Sequence, residues 1–158
     1  MACILAWGKK EKERKALAES RKKRREARDN DKPYWIKKTQ TIFNKYIRQR
    51  DFGKPCISCD RAMTGQIHAG HYRSVGAHPE LRFVEENCHA QCAQCNNWKS
   101  GNLTEYRANL IRKIGIKKVE WLEGPHAMKQ YSIADLREIY DAVKVKINGN
   151  DNTITKST

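Results

Sequence analysis

The sequence predicts an α+β fold in which a small metal-clamped core carries flanking α-helices and a basic N-terminal arm. Two Cys-x-x-Cys pairs, Cys56/Cys59 and Cys92/Cys95, stand at the spacing that lets two sulfurs of one tight turn converge on one ion. Hydrophobic residues make up 39% of the 158-residue chain and charged residues 32%, so the apolar core is small for the length and gains from a metal staple. Apolar residues also recur at helical spacing on both sides of the cysteine pairs.

Composition divides the chain into an arm at 1–32, a main unit at 33–149 and a polar tail at 150–158. Lys9 to Arg28 carries eleven Lys or Arg against four Glu and is helix-prone, yet its only apolar cluster is Ala16, Leu17 and Ala18. It is expected to be helical or disordered, a solvated arm that orders on a phosphate backbone. Asn30 and Asp31 offer capping side chains, and Pro33 suits the first turn of a helix over about 34–50. In that helix Ile36, Phe43 and Ile47 repeat beside Trp35, Thr39, Ile42 and Tyr46, marking one core-facing side. Gly53-Lys54-Pro55 then breaks the helix before the first cysteine pair.

Between the pairs a hairpin is expected over 66–72, followed by a short extended piece at Leu81, Phe83 and Val84. A helical turn over 93–99 begins at the second pair and is interrupted by Ser100-Gly101-Asn102. A helix over 103–114 aligns Tyr106, Leu110 and Ile114 and ends at Gly115. A short helix follows over 116–123, closed by Gly124-Pro125. Ser132-x-x-Asp135 resembles a capping box before a stripe of Leu136, Ile139, Tyr140, Val143 and Ile147, with Gly149 as its stop and residues 150–158 frayed.

Four thiolates in two knuckles close a tetrahedral structural zinc site, and metal-driven folding contributes on the order of 10 kcal/mol, comparable to the whole stability of a small domain. A knuckle, a hairpin and a helix that starts at the second cysteine pair make a treble-clef arrangement. Cys88 is a fifth cysteine where four suffice, and is read as a small buried residue; Cys3 is read as a free thiol. His89 is assigned a structural hydrogen bond, and His78 and His126 are loop residues.

The formal charge of +14 points to a polyanionic partner, because Lys and Arg gain affinity by releasing counterions condensed on nucleic acid. No stretch of about 18 apolar residues is present, and the segment from Ala2 to Trp7 is too short to span a membrane or act as a leader, so an intracellular protein without a membrane partner is expected. Paired cysteines at metal spacing in a reducing compartment argue against disulfides.

The order His71, Asn87, Asn96, with Asn96 directly after Cys95, resembles the HNH nucleases, which use the treble-clef (ββα-metal) frame. By that resemblance His71 is the general base, Asn96 helps hold a catalytic divalent cation, and Asn87 bonds hairpin backbone so that the His71 ring is aimed. His68 stands three residues before the base, where related nucleases place an acidic metal ligand. Imidazole is a poor partner for Mg2+ but suits Mn2+ and softer ions, so ligation by His68 shifts metal preference that way.

A closer resemblance covers nearly the whole chain. Gly70-His71-Tyr72-Arg73, Leu81-Arg82-Phe83, Gln91-Cys92-x-x-Cys95-Asn96, Lys99-Ser100-Gly101-Asn102-Leu103, Tyr34-Trp35-Ile36-Lys37 and Pro55-Cys56-Ile57-Ser58-Cys59 are similar to the lambdoid-phage NinG or Rap recombination nucleases. The resemblance implies an endonuclease acting on branched double-stranded DNA such as Holliday junctions and D-loops, in the cytoplasm of a bacterial host. Junction resolution needs two paired incisions, so a homodimer is expected. Arg73, Arg82, Lys99 and Arg107 flank the expected site, and Lys22, Lys23, Arg24 and Arg25 extend the basic surface along the arm. Phosphate contacts from these residues position a duplex without reading its bases. The competing expectation is a zinc-stabilised DNA-binding module without catalysis, in which His68 and His71 are structural.

Overall fold

A computed structural model of the chain describes the backbone of residues 2–154 and the side chains of residue 7 and residues 10–149. The arm is one continuous helix, α1 (Ala2–Asp29). Residues 12–28 are exposed all round, as a segment with nothing to bury requires. Ion pairs one turn apart, Arg14 with Glu11 at 2.8 Å and Lys23 with Glu19 at 3.0 Å, support the helix locally. The side chain of Cys3 lies outside the described residues.

Asn30 and Asp31 break the chain before α2 (Lys32–Arg50), whose first turn holds Pro33. Asp31 stands at the capping position but makes no side-chain cap bond, contrary to expectation; the proline supplies the start by its fixed φ. The buried face of α2 is Trp35, Thr39, Phe43, Tyr46 and Ile47, with Ile36 and Ile42 only partly covered. It packs against α5 (Ile133–Ile154), which begins at the expected capping box: Ser132 N–H donates to Asp135 Oδ2 at 2.8 Å and Asp135 N–H to Ser132 Oγ at 3.1 Å. Gly149 lies inside α5 and does not stop it, so 150–154 continue the helix and the rest of the tail, 155–158, lies outside the described residues.

The sheet has two antiparallel strands, β1 (Ile67–His71) and β2 (Cys88–Cys92), with His71 opposite Cys88 and Ile67 opposite Cys92. This corrects the expected hairpin over 66–72, because β1 finds its partner only across residues 72–87. Leu81, Phe83 and Val84 do not form a strand; two 3-10 turns, Pro79–Leu81 and Glu85–Asn87, carry that connection. β2 reads Cys-His-Ala-Gln-Cys, a poor strand by intrinsic preference that is held extended by burial on both faces.

Two strands are not stable alone, and helices cover both faces. On one side Cys88 and Ala69 meet Phe43, Tyr46, Ile47, Val143 and Ile147 of α2 and α5. On the other, Tyr72 and Leu81 pack with Ile57 and with Tyr106, Leu110, Val119 and Leu122 of α3 (Leu103–Ile114) and α4 (Ile116–Glu123). Gly115, at φ 86°, makes the sharp bend between α3 and α4 that a side-chain-bearing residue would resist. Truncating any of the fully buried leucines here to alanine costs about 2–5 kcal/mol.

Asp51, at the end of α2, ties these layers together. Its buried carboxylate accepts from Arg50 Nη2 at 2.8 Å, Lys54 Nζ at 3.3 Å, Lys113 Nζ at 3.2 Å and the Ala90 N–H at 3.1 Å. Arg50 in turn donates to the carbonyls of Glu85 and Cys88. One carboxylate therefore joins α2, β2 and α3.

Candidate metal centre and adjoining polar face

The sulfurs of Cys56, Cys59, Cys92 and Cys95 all lie within 4.8 Å of one another, with Cys59 Sγ 3.9 Å from Cys92 Sγ. Metal–sulfur bonds of about 2.3 Å in a tetrahedral site place sulfurs about 3.8 Å apart, so the cluster can hold a structural metal ion. The chain shapes each knuckle by local bonds. Cys56 N–H donates to the Arg61 carbonyl and Asp60 N–H to the Cys56 carbonyl, both at 2.9 Å, while Asp60 takes a left-handed φ of 55°. Cys92 N–H donates to Cys56 Sγ at 3.3 Å and Cys95 N–H to Cys92 Sγ at 3.5 Å.

Burial pushes the Cys56 thiol up, but N–H groups from Cys59, Cys92 and Ser58 outweigh it and hold the thiol below its ordinary range. Cys95 is pushed up to about 12 by burial and by the neighbouring thiols of Cys92 and Cys59. Four converging sulfurs therefore ionise together only around a cation. Cys88 stands outside the cluster, fully buried against Phe43, as the count of cysteines required.

The second cysteine pair leads from β2 into one wide helical turn with π geometry, Gln94–Trp98, and then into Ser100, Gly101 and Asn102 at φ 48°, 87° and 47°. A left-handed Ser100 costs of order 1–3 kcal/mol and persists because its surroundings over-determine it. Gly101 N–H donates to the Cys95 carbonyl at 2.9 Å and Asn102 N–H to the Lys99 carbonyl at 2.7 Å. Ser58 Oγ and Gln91 Nε2 both donate to the Gly101 carbonyl.

Strand alternation sorts the expected site residues onto two faces. His68 and Gly70 share one face with Gln91. Asn96 lies over that face: a Cβ on Gly70 would come within 3.1 Å of Asn96 Oδ1. Asn96 uses its Nδ2 to donate to Asn97 Oδ1 at 2.8 Å, which leaves its carbonyl oxygen turned toward β1. His68 Nε2 is buried without a hydrogen-bond partner. His68 and Asn96, both named from the sequence as ligands, therefore meet the same side of the sheet.

His71 points to the other face. Its ring stacks on Phe43 with centroids 6.3 Å apart, its Nε2–H donates to the Arg82 carbonyl at 2.9 Å, and its Nδ1 faces Cys88 Sγ at 3.7 Å. Burial pulls its pKa below the ordinary imidazole value, so the ring is neutral near pH 7. Asn87 does bond backbone beside it: Arg73 N–H donates to Asn87 Oδ1 at 2.7 Å, and Asn87 Nδ2 donates to the Arg73 and Leu81 carbonyls at 3.0 and 3.2 Å. A cleft of about 230 Å³ opens between 71–78 and the turn at 100–103, lined in part by His71, Arg73, His78 and Ser100.

The expected phosphate contacts differ in how free they are. Lys99 is exposed, as are Arg24 and Arg25 on α1, while Lys22 and Lys23, also exposed, pair with Glu26 at 4.0 Å and Glu19 at 3.0 Å. Arg82 Nη1 donates to Gln40 Oε1 at 3.3 Å, and Arg73 Nη2 approaches His78 Nε2 at 2.6 Å. Arg107 is engaged by Glu123 through two bonds, Nε to Oε1 at 2.7 Å and Nη2 to Oε2 at 3.0 Å, and is not a free cation.

Sequence reasoning missed the link Arg73–His78–Glu80, in which His78 Nδ1 donates to Glu80 Oε1 at 3.0 Å; His78 beside a proline carried no signal for it. His89 makes the structural bond expected of it, with Tyr106 Oη at 3.3 Å. His126 packs edge-on against Trp121 with ring centroids 4.6 Å apart.

Among the described residues no helix is long and apolar enough to cross a membrane. No solved structure matches the chain. Proteins named "Protein ninG" from Escherichia phage 933W, Salmonella phage P22 and Escherichia phage lambda are each 46% identical to it over 106 residues, which is 67% of this chain. The chain spans about half the length of these relatives, 53% of the first and 52% of the other two. A family profile described as "Bacteriophage Lambda NinG protein" matches residues 5–152, nearly the whole chain, and the chain belongs to that NinG family.

Proposed function

We infer that the chain is a metal-dependent, structure-selective endonuclease that hydrolyses phosphodiesters in branched double-stranded DNA such as Holliday junctions and D-loops, acting as a homodimer in the cytoplasm of the phage's bacterial host. The carrying observation is the sheet face shared by a buried, unpartnered His68 Nε2 and by Asn96, whose carbonyl oxygen is turned toward β1 and which directly follows Cys95 of the four-cysteine cluster. In this reading the cluster holds a structural zinc ion and the frame is the HNH-like treble clef.

The donor set fits a divalent cation: one imidazole nitrogen and one carboxamide oxygen, left without protein hydrogen-bond partners, are both ligands such ions accept. His68 and Asn96 would hold it, and when bound it supplies Lewis-acid polarisation of the phosphodiester. Ligation by imidazole favours Mn2+ over Mg2+. His71 would take the proton of the attacking water at the cleft, a role open to it because burial keeps the ring neutral at physiological pH. Asn87 fixes the backbone at Arg73 and so holds the end of β1 that bears His71. Lys99 and the exposed cations of α1 would contact phosphates, consistent with the charge of +14.

Two observations favour a second reading, a zinc-stabilised DNA-binding module without catalysis: both ring nitrogens of His71 already face protein groups, and His71 stands on the sheet face opposite His68 and Asn96. Cleavage of a synthetic four-way junction with Mn2+ or Mg2+, by the parent, His71→Ala and His68→Ala proteins, separates the two. The nuclease reading expects the parent to cut and His71→Ala to lose at least about a hundredfold in rate, the usual scale of a general base. Binding by all three with cleavage by none establishes the module.

A further inference from the structure

Trp98 is 84% exposed, the most open of the large apolar side chains described, and its indole makes no hydrogen bond or ring contact with another described residue. An indole is normally buried or half-covered in a soluble protein, as Trp35 is at 8%. The position of Trp98 is built. It ends the wide turn Gln94–Trp98, two residues beyond Asn96, and the three left-handed residues 100–102 close that turn by bonding back to Cys95 and Lys99. Cys95 is anchored in the cluster, so the base of the turn is fixed while the indole stands out from it. Wide turns of this kind concentrate at functional sites. Lys99 beside it is exposed and has no ion-pair partner among the described residues.

We propose that Trp98 is a stacking platform for a nucleobase left without a neighbour at the branch point of DNA, with Lys99 holding the adjoining phosphate. This rests on the nuclease reading and names the part of the site that distinguishes branched from linear duplex. Charge complementarity selects the occupant: in a chain of +14, an aromatic face next to an unpaired ammonium matches a base next to its phosphate. A continuous duplex keeps its bases stacked and offers the indole nothing. A branch point offers unstacked faces, and stacking accepts any base, so selection by structure needs no sequence readout.

The test uses the full chain with its metal retained, in Ca2+ so that cleavage does not interfere. Fluorescence anisotropy measures affinity for a four-way junction and for a linear duplex of equal length; 2-aminopurine at the branch point reports stacking. Trp98→Ala is expected to lose about tenfold in junction affinity with duplex affinity unchanged, and to lose the quenching of the 2-aminopurine. Trp98→Phe is expected to restore most of both, while Trp121→Ala, on α4, changes neither.

Equal losses on junction and duplex overturn the proposal, as does no loss on either. A changed oligomeric state of Trp98→Ala with unchanged DNA binding also overturns it, in favour of self-association. Selective loss of junction binding in a protein that never cleaves supports the platform while rejecting the nuclease, so the two can fail separately.

Discussion

Gly70 and Asn96 meet closely: a Cβ on the strand residue would lie 3.1 Å from Asn96 Oδ1, tighter than an ordinary contact. It would also overlap the amide oxygen of Gln91, a buried side chain tied to Ser58 and Gly101. Gly70→Ala is therefore expected to destabilise the fold by about 1–3 kcal/mol, the usual cost of overpacking. Junction cleavage should fall further than the loss of folded protein explains. Denaturant unfolding and cleavage rates measured on the same preparation check this, and a variant as stable and active as the parent would refute the contact.

Removing the metal should unfold the centre. The four sulfurs are drawn together across 36 residues of sequence from Cys56 to Cys92, and a bound ion is what lets them ionise side by side. One zinc per chain by elemental analysis is expected. A strong chelator or Cys59→Ala should lower the melting temperature sharply, and an unchanged melting curve after complete chelation would reject the clamp.

Asp51→Asn should cost about 3–5 kcal/mol, because it leaves Arg50 and Lys113 partly buried without their counter-charge. Burial acts to raise the carboxyl's pKa, but the bonds and charge of Arg50, the Ala90 N–H and Lys113 outweigh it and hold it well below the usual carboxylate range. A depressed folded value means that the stabilisation is present above the unfolded pKa of about 3.9 and is lost as pH falls below it. Acid unfolding of the parent against Asp51→Asn, followed by circular dichroism, reads the difference.

His89 makes stability depend on pH at a higher window. Burial, with the charges of Lys113 and Arg50, pushes its pKa down to about 3, whereas the unfolded imidazole titrates near 6.5. Between those values the unfolded chain binds a proton that the folded chain refuses, so stability decreases as pH falls from about 6.5 toward 3. His89→Gln should flatten the fall in denaturation midpoints over pH 7 to 4; an equally steep fall in the variant would assign it elsewhere.

Arg107 and Lys99 should behave differently toward DNA despite their equal charge. Arg107 is held by Glu123, so Arg107→Ala leaves affinity nearly unchanged. Lys99→Ala should weaken binding to every DNA and reduce the slope of log affinity against log salt by about 1. Titrations at several salt concentrations decide it.

The helices and the cysteine cluster were legible in the sequence because each depends on a short-range pattern. Leu136, Val143 and Ile147 repeat at helical spacing, Ser132 and Asp135 reciprocate within one turn, and each sulfur pair sits in one tight turn. β2 was not legible. Cys88, His89, Ala90 and Gln91 carry little strand preference and are extended because Arg50, Tyr106, Asp51 and Ser58, respectively, hold them from distant parts of the chain.

Asn87 was placed on the backbone near His71, where it lies, whereas the face taken by His71 depends on a register that only the pairing with Cys88 sets. Lys113 and Asp51 meet across 62 positions, a link that no local pattern announces.

The backbone carbonyl of Asp29, the last residue of α1, receives two donors from the body of the protein, Trp35 Nε1 at 3.1 Å and Arg137 Nη2 at 2.8 Å. A rod of 28 residues, about 42 Å long at 1.5 Å per residue, is thus tied to the body at its last turn, where Arg28 also lies over the Tyr34 ring at 5.3 Å. Charges in its outer half lie about 20 Å or more along the rod from that junction, beyond the about 8 Å over which fields fade in physiological salt. On the proposed DNA-binding reading the rod would work as an outrigger, its cations gripping only what lies directly beneath them while the junction at Asp29 determines where that footing falls.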